Sequence, residues 1–342
     1  MMPFQLFRIF IVLTLISVAT SWSPTARATT PDGFPNVDHP RVLIVSFDGL
    51  RPDAITAATA PTLTDLIAAG AYDAAALAEI PAVTLPNHLC MVTGLTILNH
   101  GVLANFDLPG RTEHTTIFDA SEAAGLRTAF FATKSKLAYL CNEGETDAWD
   151  IESDVDTMAD IAAAAIADAP FDLVFLHFGE PDGTGHAHGW MSEPYLEKVT
   201  STDAAFARVL TALDNSGVRD ETLIIVTADH GGTGFTHAFP ISTDQQVPFI
   251  LCGPQVAVGR ELDARLRPMD VAATALGFLG VDATFARNGR FVSAALETSA
   301  ADEIEPDPNT LLAFPCGPIP LFFVGVMAVG LYRVKRQPMT VG

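Results

Sequence analysis

The chain has 342 residues and is 49% hydrophobic, which suits one large packed domain or two small ones and excludes a disordered chain. Acidic residues outnumber basic ones 40 to 19, for a formal charge of −21. Such a field repels polyanions and argues against a nucleic-acid surface, although a small phosphorylated substrate can bind where cations reverse the potential locally.

Residues 1–28 read as a signal peptide. Arg8 precedes an apolar run from Ile9 to Ala19, and Ala26-Arg27-Ala28 is an A-x-A cleavage site, so the mature chain is expected to begin near Thr29. The run is short for a membrane span, which leaves an uncleaved anchor as the competing reading. A linker over residues 29–40 then leads to a globular domain over residues 41–297.

Within that domain, Arg41 to Phe47 is a continuous apolar run of the kind that forms central parallel strands, and it ends in Asp48-Gly49-Leu50-Arg51-Pro52-Asp53. Pro61 opens a helix that closes near Gly70. The segment Pro81-Ala82-Val83-Thr84-Leu85-Pro86-Asn87-His88 leads into a second helix, through Thr93, stopped by Gly94. A strand from Arg127 to Thr133 closes on Lys134-Ser135-Lys136, and an alanine-rich helix covers Met158 to Ala167. The strand Phe171 to Phe178 ends in Gly179-Glu180-Pro181-Asp182-Gly183-Thr184-Gly185-His186. A long amphipathic helix, Glu193 to Leu213, leads to the strand Leu223 to Ala228, which closes on Asp229-His230-Gly231-Gly232 with His237 just beyond. Val247 to Leu251 is a last strand and Met269 to Leu279 a last helix. Alternating strands and helices predict an α/β fold, a doubly wound, mostly parallel central sheet flanked by helices.

A polar linker over residues 298–310 precedes a C-terminal segment over residues 311–342. Its apolar part, Leu311 to Tyr332, is long enough for a transmembrane helix and is followed by Arg333, Lys335 and Arg336, a basic flank suited to the cytoplasmic side. Pro315, Pro318 and Pro320 weaken its first half as a helix, and the arrangement also resembles a sorting tail read by a processing enzyme. Either reading places an exported domain on the outer face of the cytoplasmic membrane, tethered through this segment unless it is processed. Of four cysteines, Cys316 lies in this tail, which leaves Cys90, Cys141 and Cys252 and excludes a fully paired disulfide framework within the domain. No C-x-x-C occurs, so a thiolate zinc site is not supported.

Three strands end in metal-ligand chemistry: Asp48, then Asp182 with His186, then Asp229 with His230. In an open α/β sheet these strand ends share one rim, where ligands bind. Carboxylate and imidazole donors suit borderline divalent ions. No histidine follows His237, so an imidazole completing a second site from downstream has to be His237.

Asp48-Gly-Leu-Arg-Pro-Asp, Thr84-Leu-Pro-Asn-His, Asp182-Gly-Thr-Gly-His186 and Thr-Ala-Asp229-His230-Gly resemble the motifs of the type I phosphodiesterase/nucleotide pyrophosphatase family of the alkaline phosphatase superfamily. The resemblance spans roughly residues 41–296 and implies an alkaline phosphatase-like fold. It also implies two divalent ions, zinc in this family. One is expected on Asp48, Asp229, His230 and the Thr84 oxygen, the other on Asp182, His186 and His237. In many relatives the last histidine lies far downstream; here it follows His230 closely, as in compact members of the superfamily.

The chemistry agrees with this reading. A threonine hydroxyl is a poor nucleophile at neutral pH, and a bound cation lowers its pKa. Two ions about 4 Å apart can also clamp phosphoryl oxygens. Thr84 precedes a helix whose N–H groups favour an anion, although a threonine there is also a simple helix cap. Asn105 matches an asparagine that, in nucleotide pyrophosphatases, donates to a phosphoryl oxygen; the alternative is a turn asparagine. Lys134 and Lys136 resemble the lysine pair with which phosphonoacetate hydrolases hold a substrate carboxylate; the alternative is two solvated lysines. His88, His100, His114, His177 and His188 read as structural or surface residues. The expected activity is hydrolysis of a small phosphodiester or nucleotide pyrophosphate through a phosphothreonine intermediate. Phosphonoacetate hydrolase-like C–P cleavage, transfer of a phosphoryl-alcohol group, and a metal-stabilised surface binding domain are the alternatives. Sulfatase chemistry is disfavoured because Thr84-Leu-Pro-Asn-His lacks the Cys or Ser that formylglycine formation needs.

Overall fold

The strand β1, Arg41–Phe47, is buried along almost its whole length, as its unbroken apolar sequence requires. It lies at the centre of an eight-stranded sheet in this computed structural model, which describes residues 37–296. The chain divides into a unit of Met1–Ala301 and a unit of Asp302–Gly342; the second unit, the signal-peptide segment and the apolar tail lie outside the described residues. No helix among the described residues is long and apolar enough to cross a membrane.

In chain order the strands are β1, β2 (Ala71–Leu77), β3 (Thr128–Ala132), β4 (Ala148–Ile151), β5 (Leu173–Phe178), β6 (Thr222–Thr227), β7 (Gln246–Cys252) and β8 (Arg260–Glu261). Their spatial order is β4-β3-β5-β1-β6-β7-β2-β8. β7 runs antiparallel to both β6 and β2, and the other pairings are parallel, so the sheet is mostly parallel as expected. The helices are α1 (Pro61–Ala69), α2 (Thr84–Thr93), α3 (Ile97–His100), α4 (Ile117–Ala123), α5 (Val155–Asp168), α6 (Asp182–His188), α7 (Glu193–Asn215), α8 (Ser242–Gln245) and α9 (Asp270–Leu279). α5 and α1 pack against α7, while α2 and α4 pack against α9, which itself lies on β1 and β6. Helices on the sheet explain why β1, β5 and β6 carry apolar residues at successive rather than alternate positions.

Register positions the site. Ser46 of β1 lies opposite His177 of β5 on one side and Thr227 of β6 on the other. The three central strands therefore end level, and the residues just beyond them, Asp48, Gly179 and Ala228, reach the same rim. The segment after β5, where no helix was expected from sequence, coils into α6, which puts Asp182 and His186 one turn apart on one helical face. β2, β4 and β8 were not anticipated. Cys90, Cys141 and Cys252 are free and buried, in keeping with the odd count.

Candidate metal centre

The turn Asp48-Gly49 joins the three acidic residues. Gly49 has φ +73°, and a Cβ there would come within 2.9 Å of the Cα of Asp182, so only glycine fits. Its N–H donates to Asp229 Oδ1 at 3.1 Å, and Asp182 N–H donates to the Asp48 carbonyl at 2.9 Å. The Gly49 carbonyl accepts from Trp190 Nε1 and from the Tyr195 hydroxyl, each at 2.9 Å. Trp190 in turn packs flat into the space left by Gly185 and Gly232, whose added Cβ atoms would meet its ring at 2.7 and 2.2 Å. The glycines of the Asp182-Gly-Thr-Gly-His186 and Asp229-His230-Gly231-Gly232 motifs thus give the supporting indole room.

Three imidazoles face these carboxylates in the same way. The Nδ1 of His186 lies 3.0 Å from the Phe235 carbonyl, that of His237 2.7 Å from the Ala82 carbonyl, and that of His230 2.7 Å from the Gly231 carbonyl. A carbonyl only accepts, so each Nδ1 carries the proton and each Nε2 offers a lone pair. His186 and His237 direct Nε2 to Asp182 Oδ1, at 3.4 and 3.7 Å. His230 Nε2 lies 3.3 Å from Asp229 Oδ2, 3.4 Å from Asp48 Oδ1 and 3.9 Å from Asp182 Oδ1. The rings of His230 and His237 stack at 3.7 Å.

The donor set fits a divalent cation. Asp48 Oδ1, Asp182 Oδ1, Asp229 Oδ2 and His230 Nε2 are buried without a hydrogen-bond partner, and leaving such groups uncompensated costs several kcal/mol each. Asp182, His186 and His237 form one group whose ligand atoms lie within 4.8 Å of one another; Asp48, Asp182 and His230 form another. Asp182 is thus common to both groups, whereas the motifs had paired Asp48 and His230 with Asp229. Burial raises Asp48, but Lys134, His177 and His230 outweigh it and hold this carboxyl well below its usual range. Burial and the charge of Asp48 push Asp229 up. For His230, burial opposes the proton but Asp229, Asp182 and Asp48 together prevail and raise it. Burial and His230 push His237 down to about 4, so it is neutral and ready to ligate.

Thr84 stands beside this cluster as the first residue of α2, with 1% of its surface exposed. Its surroundings are tied to the site on three sides. The Ala82 carbonyl holds His237, the Thr84 carbonyl accepts from His88 Nδ1 at 2.7 Å, and that same Nδ1 lies 3.7 Å from Asp229 Oδ2. Asn105 comes to α2 as well, its Oδ1 accepting from the Leu85 N–H at 3.0 Å. The helix terminus offers an anion fewer donors than expected, because Asn105 takes the Leu85 N–H and Pro86 has none. Lys136 Nζ lies 3.3 Å from the Asn105 carbonyl, whereas Lys134 Nζ turns onto Asp48 and Asp182.

Two residues read as structural from sequence support the centre directly. His177 Nε2 lies 3.0 Å from Asp48 Oδ2, and His88 Nε2 meets Ser46 Oγ at 2.8 Å below Thr84. Both rings are fully buried and stack edge to face at 4.9 Å. The available signal was positional: His177 is the penultimate residue of β5, and His88 is one helical turn after Thr84. His188, read with them as structural or surface, takes no part in these contacts.

Comparison with known proteins agrees with the geometry. The family model described as type I phosphodiesterase/nucleotide pyrophosphatase matches residues 42–248. Ectonucleotide pyrophosphatase/phosphodiesterase family member 7 of Homo sapiens is 27% identical over 276 residues, covering 70% of this chain and 59% of that protein. The chain thus spans little more than half of that relative. Among solved structures, murine ectonucleotide pyrophosphatase/phosphodiesterase 5, an inactive threonine-to-alanine form in complex with AMP, superimposes with a TM-score of 0.63 at 17% identity, covering 71% of this chain and 96% of that one. A phosphonate monoester hydrolase from Silicibacter pomeroyi gives 0.60 at 18% identity, covering 77% and 78%. The shared fold is that of the alkaline phosphatase superfamily, as the motifs implied. By its matched sequence, this chain belongs to the type I phosphodiesterase/nucleotide pyrophosphatase family.

Proposed function

We propose that the chain is a metal-dependent phosphoric ester hydrolase that cleaves small phosphodiesters or nucleotide pyrophosphates through a covalent intermediate on Thr84. The observation that carries this reading is the set of four buried atoms without hydrogen-bond partners, Asp48 Oδ1, Asp182 Oδ1, Asp229 Oδ2 and His230 Nε2, in a cluster that His88 and His237 tie to the helix N-terminus where Thr84 stands. A surface binding domain has no use for a nucleophile so placed. The names of the matched relatives support the reaction class, and the inactive threonine-to-alanine form of the murine neighbour supports the choice of nucleophile.

The ligand set suits two zinc ions, held by Asp48, Asp229, His230 and Thr84 and by Asp182, His186 and His237. When bound, they supply Lewis acidity that lowers the Thr84 hydroxyl pKa and neutralises phosphoryl oxygens. The chain's own groups do the rest. Thr84 Oγ1 attacks phosphorus, the bond to the leaving oxygen breaks, and that oxygen leaves with a proton drawn from solvent. Water then attacks the phosphoryl-threonine and restores the hydroxyl. The Asn105 side chain, anchored through Oδ1, directs its amide N–H groups at a phosphoryl oxygen, and Lys136 adds positive charge on that side. Export, with residues 1–28 removed and residues 311–342 serving as tether or sorting tail, belongs to the same proposal and rests on sequence alone.

Turnover of a chromogenic phosphodiester, a monoester, a phosphonate and a sulfate ester, with zinc added, tests the reading. The diester should turn over best, and Thr84→Ala should abolish turnover while keeping the fold and most bound metal. A Thr84→Ala protein of near wild-type activity would remove Thr84 as nucleophile.

A further inference from the structure

Lys134 enters the centre from the end of β3 and divides the oxygens of the two carboxylates that it touches. Its Nζ lies 2.7 Å from Asp48 Oδ2 and 2.7 Å from Asp182 Oδ2. A second donor reinforces the first contact. The Thr133 N–H donates to His177 Nδ1 at 3.3 Å, which leaves the proton on Nε2, and Nε2 donates to Asp48 Oδ2 at 3.0 Å. Thr133 is in turn fixed by the Gly179 N–H, which donates to its hydroxyl, so the root of Lys134 is tied to the end of β5.

The opposite oxygens tell the complementary story. Asp48 Oδ1 and Asp182 Oδ1 have no hydrogen-bond partner. Asp48 Oδ1 faces His230 Nε2 at 3.4 Å, and Asp182 Oδ1 faces the Nε2 atoms of His186, His237 and His230 at 3.4, 3.7 and 3.9 Å. Each carboxylate therefore gives Oδ2 to the ammonium, shared at Asp48 with His177, and turns Oδ1 to His230, joined at Asp182 by His186 and His237.

We propose that Lys134 is a positioning residue that restricts Asp48 and Asp182 to one metal-facing oxygen each, and so selects a four-coordinate ion such as zinc over manganese or calcium. Zinc settles for four ligands, whereas calcium takes six to eight oxygens, often by bidentate carboxylates, and manganese prefers octahedral oxygen sites. An ammonium on both Oδ2 atoms blocks the bidentate mode that a higher-coordinate ion needs. It also offsets the repulsion among Asp48, Asp182 and Asp229. The inference rests on the metal-centre reading above and assigns Lys134 to the carboxylates rather than to the substrate.

Zinc and manganese, and separately zinc and calcium, are offered in equal amounts to the full chain, to Lys134→Met and to Lys134→Arg, and the retained metals are counted by mass spectrometry after gel filtration. Wild type should retain zinc, and Lys134→Met should shift the zinc-to-manganese ratio towards manganese by on the order of 10–100-fold, the size typical of outer-sphere changes at metal sites. Lys134→Arg, which keeps the charge, should shift it less. An unmoved ratio in Lys134→Met overturns the proposal, and so does an effect confined to KM for an anionic substrate. Cobalt-loaded wild type provides an arm that needs no variant to fold: an intense four-coordinate visible spectrum is expected, and the weak spectrum of a six-coordinate ion overturns the proposal. Wild type that retains no metal defeats the metal-centre reading itself, whereas zinc-loaded wild type with an unmoved ratio in the variant defeats only the role of Lys134.

Discussion

Gly49→Ala is a small perturbation that reaches the centre without replacing any of the residues proposed to hold metal. Gly49 has φ +73°, and an alanine there costs about 1–2 kcal/mol in backbone strain. The new Cβ would lie 2.9 Å from both Cα and Cβ of Asp182, against an ordinary carbon contact of about 3.5–4.0 Å, so Asp182 must retreat by roughly 0.6–1 Å. That overlap adds about 1–3 kcal/mol, for a total of about 2–5 kcal/mol. Gly217→Ala supplies the control, because Gly217 has φ +69° with nothing within 4 Å of an added Cβ and should lose only the backbone part. With about 2–4 °C lost per kcal/mol in a domain of roughly this size, thermal unfolding should rank wild type, Gly217→Ala and Gly49→Ala in descending order. Activity should separate them further: Gly217→Ala near wild type, and Gly49→Ala down about 100-fold, the usual effect of misplacing a reacting group by about 1 Å. If the two variants unfold together and are equally active, the close packing of the Asp48-Gly49 turn on Asp182 does not hold the centre in place.

Other consequences follow from single contacts. His237→Ala removes one of the three imidazoles facing Asp182 Oδ1, and metal analysis should show the content falling from two ions towards one; an unchanged content of two rejects His237 as a ligand. His100 is buried at the end of α3, its Nδ1 accepting from the Val102 N–H at 3.1 Å, and burial pushes it down to about 4. The unfolded imidazole protonates near pH 6.5 and the folded one only near 4, so its contribution is intact above pH 6.5 and is lost as the pH falls towards 4. The full shift is worth roughly 3 kcal/mol, and solvent screening reduces this to about 1–2 kcal/mol. Urea unfolding at pH 7 and pH 4.5 should show wild type losing more stability than His100→Gln, and equal losses contradict this account.

Strands whose burial depends on their own sequence were legible in advance. β1, β5 and β6 announce themselves as apolar runs, and their shared rim follows from the fold class, so the gathering of Asp48, Asp182, Asp229 and His230 is legible from sequence. β2 was not legible, because Ala71-Tyr-Asp-Ala-Ala-Ala-Leu77 carries helix-favouring alanines and becomes a strand only by pairing with β7 and β8. The reversed direction of β7 was equally hidden, since a buried run reads the same in either orientation. At the centre, sequence spacing named the candidate ligand residues but not the oxygens. That Lys134 and His177 claim the Oδ2 of Asp48 depends on β3 and β5 being neighbours, a fact of topology. His88 was missed for a similar reason, since its partners Ser46 and Asp229 come from β1 and from beyond β6.

The central claim is that Thr84, activated beside the Asp48, Asp182, Asp229 and His230 cluster, forms a covalent bond to phosphorus. The stereochemical course at phosphorus tests it most directly, using a diester made chiral by one sulfur and hydrolysed in isotopically labelled water. Two successive in-line displacements, first by Thr84 and then by water, predict retention of configuration. Inversion would show a single attack by water and would contradict the account.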